Sequence, residues 1–218
     1  MFRQILFTQW KWSGWIVVTG AVLGFLVPVL SVRLAGAPLT RYEEVEHLLT
    51  SVRQWGILYP VLAVVAALVM AGAAWAQDHR GGHVYALTLP LPRWRYVLHR
   101  FGAGAVLLAP IVLAVWVGGL AAASTAVVPT GLTTHPTALA LRFTLALLLV
   151  YALFFAISSG TSRTAGYVLV GVGALVALQL LFEVAGMEVP LLTTVFGWFQ
   201  EWPGPFEILT GRWMLINV

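Results

Sequence analysis

Long runs without a charged residue constrain this chain more than any other feature. Between Lys11 and Arg33 lie 21 uncharged residues, and between Arg53 and Asp78 lie 24. Arg142 and Arg163 enclose 20, and Arg163 and Glu183 enclose 19. A hydrocarbon core of about 30 Å needs roughly 20 apolar residues in a helix, so each run suffices for a membrane span. The run from Phe101 to Leu141, 41 residues, invites two spans. Its stretch Pro129-Thr130-Gly131-Leu132-Thr133-Thr134-His135-Pro136 instead carries turn chemistry where a second span would have to run. The expected spans are 13–35, 54–76, 98–124, 140–160 and 164–183.

Composition agrees. Of 218 residues, 60% are hydrophobic and only 9% charged, where soluble domains carry about a quarter. The sequence predicts an all-α, polytopic helical membrane protein, with residues 1–218 forming a single transmembrane domain. Cysteine is absent, which removes disulfides, thiolate metal sites and cysteine nucleophiles. The 12 basic residues are scattered and Lys11 is the only lysine. With no basic run to neutralise a row of phosphates, nucleic acid is not an expected partner.

The flanking charges orient the chain. An inside N-terminus places Arg3, Lys11, Arg80, Arg93, Arg95, Arg100 and Arg163 in the cytoplasm, against Arg33, Arg41, Arg53, Arg142 and Arg212 outside. Of the acids, only Asp78 falls inside. The expectation is a multi-pass protein of the cell inner (cytoplasmic) membrane with a cytoplasmic N-terminus. No small-residue cleavage pattern precedes Arg33, so the first span does not read as a cleavable signal. Phe2, Ile5, Leu6, Gln9 and Trp12 fall roughly on one helical face, so residues 1–12 read as an interfacial helix, with Trp10, Trp12 and Trp15 at headgroup depth. The plainer alternative is that this stretch extends the first span.

Beyond Glu183 the pattern changes. The longest charge-free run is Val189 to Gln200, 12 residues, or about 18 Å of helix, too short to cross. Trp198, Trp202, Pro203, Pro205, Phe206 and Trp213 suggest that 184–218 is an outer re-entrant or interfacial region. A sixth span is absent or truncated, with Trp213 to Val218 reading as the start of an apolar segment.

The inner stretch 77–100 joins the second and third spans and holds four of the seven inside basic residues, with 77–96 as its loop. Gly81-Gly82 should break the second helix. Residues His83 to Leu89 suit a short amphipathic helix with Tyr85, Leu87 and Leu89 apolar, ended by Pro90 and Pro92. Arg93, Arg95 and Arg100 then open the next helix. A short helix across the mouth of a helix pair is suited to docking on another protein.

In this order of elements, and in its acid, glycine, Leu-x-Leu-Pro-x-Pro-Arg turn, the chain resembles the permease subunits of type-2 ABC exporters. The resemblance implies that 77–96 is a coupling loop seated in a separate ATPase subunit. By it, Asp78 takes the family's acidic position, although Glu is commoner there, and Gly82 takes its glycine. Leu87 and Leu89 form the docking face, and Pro92 and Arg93 are the closing Pro-Arg. Arg80, His83 and Tyr85 lie in the same loop. The family usually has six spans, with a re-entrant pair before the last, so the region after Glu183 departs from it. The resemblance also implies a second permease, as a homodimer or heterodimer, within the lipid bilayer. Gly20-x-x-x-Gly24, Gly102, Ala103 and Gly104 permit close helix contacts, more often within one chain than between two.

No phosphate-binding Gly-x-x-x-x-Gly-Lys-Ser/Thr motif occurs. ATP and Mg are therefore expected on the partner ATPase, and no cofactor or enzymatic activity is expected of this chain. His79 and His83 have helical ligand spacing, but Arg80 stands where a zinc protease needs Glu, and Gly81-Gly82 intervenes. No metal is expected. His47, His79, His83, His99 and His135 lie in loops or at span ends, unsuited to bis-His haem. Glu43-Glu44 lacks the Arg that would complete an intramembrane protease motif, since position 48 is Leu.

The spans show no ionisable residue well inside the hydrocarbon, which argues against ion-coupled transport and suits a lipidic, peptide or other hydrophobic cargo. Arg142 and Glu183, at the outer boundary, are the candidate substrate contacts, with snorkelling anchors as the plainer reading. The alternative to a transporter is a non-transporting scaffold or assembly subunit of a larger complex.

Overall fold

The computed structural model describes residues 2–34, 50–80, 92–126, 133–159, 162–184, 207–209, 213 and 215–217. It is helical almost throughout. Helix α1 spans Phe2–Arg33, α2 Leu58–Arg80, α3 Arg93–Thr125, α4 Pro136–Ser158 and α5 Ser162–Val184. A helical stretch, 50–56, leads into α2. Two short strands, β1 (Thr133–Thr134) and β2 (Ile216–Asn217), pair antiparallel, Thr133 opposite Asn217 and Thr134 opposite Ile216.

Helix α2 is described as far as Arg80. Helix α3 begins after Pro92, which sits extended at the N-cap while its carbonyl accepts from Arg95 N at 3.0 Å. Proline is well placed at a helix entry because the missing N–H has no helical partner there. The two helices thus reach further into the 77–96 loop than the expected spans do, and 81–91 lie outside the described residues.

Among the described residues, four helical stretches, Phe2–Arg33, Thr50–Ala76, Arg93–Thr125 and Pro136–Ser158, are long and apolar enough to cross a membrane. Their outward faces carry Val18, Val22, Val61, Val65, Val106, Leu113, Leu141 and Leu145, all exposed. A water-soluble surface seldom shows apolar patches of this extent, whereas lipid tails cover them without penalty.

By contact density the chain divides into two units. The first comprises residues 1–155 and 212–218. Within it α1 packs most extensively on α3. Gly118 of α3 lies so close to α1 that a Cβ there would stand 2.6 Å from the Phe25 carbonyl oxygen. Gly20 and Gly24 face Ile111 and Val115 of α3, so this small-residue pair packs within the chain. Phe101 of α3 stacks on Tyr151 of α4 at 5.1 Å and meets Phe155 edge-on at 5.3 Å. Tyr151 also donates to the Phe101 carbonyl at 3.2 Å. Trp75 Nε1 of α2 donates to the Phe155 carbonyl at 3.2 Å, which brings α2 to the same cluster.

The segment expected as a separate interfacial helix is continuous with the rest of α1. Its course nevertheless differs. Gly20 and Gly24 contact α3 in step, at Ile111 and Val115, as parallel helices do. Phe2 and Gln9, about 10 Å apart along a helix, meet adjacent α3 residues: Phe2 lies 6.0 Å from the His99 ring, and Gln9 Nε2 donates to Arg100 O at 3.3 Å. The first turns of α1 therefore cross α3, and the later turns run alongside it.

At the opposite end, Trp213, Leu215 and Ile216 are buried. Trp213 stacks on Tyr59 at 6.2 Å, and His135 N donates to Leu215 O at 2.9 Å. The apolar residues expected to open a further segment are instead folded back beside β1. Among the described residues of the second unit, 156–211, are α5 and the 3₁₀ turn Glu207–Leu209. The rest of the expected re-entrant region lies outside the described residues.

Candidate functional site

The feature with most chemical content is a buried polar cluster where α2 ends and α3 begins. Asp78, in the last turn of α2, is 4% exposed, and Arg100, two turns into α3, is 7% exposed. The Arg100 guanidinium donates to Asp78 Oδ2 and to the Tyr96 hydroxyl. The Tyr96 hydroxyl donates in turn to the same carboxylate, at 3.1 Å from Oδ2. The guanidinium also lies 5.1 Å from the Trp75 ring centroid and 5.3 Å from that of Tyr96, within cation–π range. One face of α3 supplies Tyr96 and Arg100, spaced i and i+4, and one face of α2 supplies Trp75 and Asp78, spaced i and i+3.

From α1, the buried Gln9 holds the Arg100 carbonyl and Ser13 Oγ donates to Gln9 O at 2.6 Å. Gln9 Oε1 and Arg100 Nε have no hydrogen-bond partner among the described residues. A buried, partly satisfied ionic network contributes little stability relative to packed apolar side chains. Its chemical capacity is mechanical: a charge-assisted joint that fixes the end of one helix to the start of the next.

The sequence reading assigns Asp78 the acidic position of the 77–96 loop and Arg100 a place at the start of the third span, and pairs neither. In the structure both are buried and paired with each other, the guanidinium and the Tyr96 phenol satisfying the carboxylate. Pro92 caps α3, and Arg93 is exposed in its first turn. Gly82, His83, Tyr85, Leu87 and Leu89 lie outside the described residues, as do the side chains of Arg80 and Glu183. Arg142 is half-buried with its guanidinium 4.7 Å from the centroid of the Trp213 ring, packed at the end of the bundle opposite Asp78. The sequence carried one usable signal for the missed pair: Asp78 is the only acid between Glu46 and Glu183, and Tyr96 and Arg100 share a helical face.

Among the described residues no three His, Asp or Glu side chains converge to hold a metal ion. The fold and the outward apolar faces are those of a helical protein suited to a bilayer. Beyond that class, comparison with protein families, with curated proteins and with solved structures finds no match.

Proposed function

We propose that the chain is the membrane-spanning permease subunit of an ATP-driven ABC transporter. In this reading it exports a lipidic, peptide or other hydrophobic substrate and is coupled through residues 77–96 to separate ATPase subunits. It works with a second permease, with its N-terminus in the cytoplasm of a cell whose inner membrane it spans. The observation that supports the reading most directly is the Asp78–Arg100–Tyr96 joint at the base of that loop. A loop pushed by an ATPase moves substrate only if its force reaches the helices instead of bending the loop. The joint makes the inner ends of α2 and α3 one lever, and Gln9 extends it to α1.

The test is recovery of the full chain from its native membrane in nanodiscs, with its associated proteins identified by mass spectrometry. Recovery of a Walker-motif ATPase in about equal amount, lost when Leu87→Asp and Leu89→Asp are combined, is the expected result. If only other membrane proteins co-purify, under conditions that keep known transporters whole, the scaffold reading replaces this one.

A further inference from the structure

Where the first turns of α1 cross α3, they enclose an open groove of about 680 Å³ against Leu107. That size is within the roughly 300–1,000 Å³ of small-ligand sites. Leu6, Phe7, Trp10 and Leu107 line it with apolar surface, while Arg3 and Gln4 supply donors. We infer that this groove binds an anionic phospholipid, with an acyl chain against Leu107 and Phe7 and the phosphate at Arg3.

Three observations favour a lipid. Val106, next to the groove residue Leu107 in α3, and Leu113 are exposed and apolar, a surface that lipid tails cover without penalty. The crossing helix bears Trp10, Trp12 and Trp15, all exposed, and such residues favour headgroup depth. The groove changes from cationic at Arg3 to apolar at Leu6, Phe7 and Trp10 along the first turns of α1, as a phospholipid changes from headgroup to chain.

Charge selects the anionic kind. Arg3 is exposed and has no carboxylate partner among the described residues. Lys11, Arg93 and Arg95 lie in the same helical ends, and Asp78, the acid described there, is already paired with Arg100. A basic residue near an anionic membrane surface contributes about 1 kcal/mol, or roughly fivefold in affinity.

The test uses the delipidated full chain in detergent, titrated with equal phosphatidylglycerol and phosphatidylcholine and read by native mass spectrometry. One phosphatidylglycerol should be retained about fivefold over phosphatidylcholine. Arg3→Gln should bring the two nearly level, and Arg95→Gln should leave the preference intact. Equal retention of both lipids by the unmodified chain overturns the inference. An equal loss in Arg95→Gln and Arg3→Gln also overturns it, because the preference would then follow total charge and not the groove. Arg3 is exposed and tied to no buried network, so its substitution leaves the fold in place.

Discussion

Asp78 accepts a hydrogen bond from Arg100 across the α2–α3 junction, and both side chains are almost wholly buried. Truncating one partner leaves the other charge buried and unpaired, which costs about 3–5 kcal/mol. Arg100→Met should therefore lower the thermal midpoint of the purified protein sharply. The double variant Asp78→Leu/Arg100→Met removes both charges and should recover most of that loss. If the double variant also regains ATPase-coupled transport in vesicles, the ion pair is not the lever proposed above.

Close approach at Gly118 gives a second expectation. A methyl group there meets the Phe25 carbonyl oxygen and Cα, at 2.6 and 2.9 Å, and backbone cannot rotate away as a side chain can. Gly118→Ala should destabilise by about 1–3 kcal/mol, the usual cost of overpacking. Gly72 in α2 has nothing within 4 Å of its added methyl. Gly72→Ala should be neutral or stabilising by up to about 1 kcal/mol, since alanine is the better helix former. Equal thermal midpoints for the two variants would contradict the α1–α3 packing.

The helices were legible because their signals are local. Charge-free runs located α1 to α5, and Pro92 marked the start of α3. The polar joint was not legible. Choosing Arg100 over Arg80, Arg93 or Arg95 as the partner of Asp78 requires the rotation of α3 against α2. That rotation is set by packing such as Phe101 on Tyr151, 50 residues apart in sequence. Trp213 escaped for the same reason: an apolar terminal stretch reads alike whether it enters lipid or folds back on Tyr59. The crossing of α1 over α3 leaves no periodic trace, because the helix continues through it.

The absence of cysteine makes orientation directly measurable. Arg95 is exposed at the start of α3 and Thr133 is exposed just before α4. With the N-terminus cytoplasmic, Thr133→Cys should react with a membrane-impermeant maleimide in intact cells. Arg95→Cys should react only after permeabilisation. The reverse pattern would invert the orientation, and with it the side on which an ATPase can dock.

Trp213 holds the folded-back segment by its stack on Tyr59 and by the Arg142 guanidinium above its ring. Ile216, three residues on, is fully buried. In the natural cysteine-free background, Ile216→Cys should be almost unreactive toward a water-soluble thiol reagent in the folded protein. Replacing a buried Trp by Ala costs roughly 3–5 kcal/mol, and here that loss falls on a short segment whose other described residues are Leu215 and the two strand residues. Trp213→Ala should therefore open this segment locally before it unfolds the helices, and the cysteine at 216 should become reactive while the helical circular dichroism persists. Reactivity that rises only when the helical signal is lost would show that the segment is part of the cooperative core.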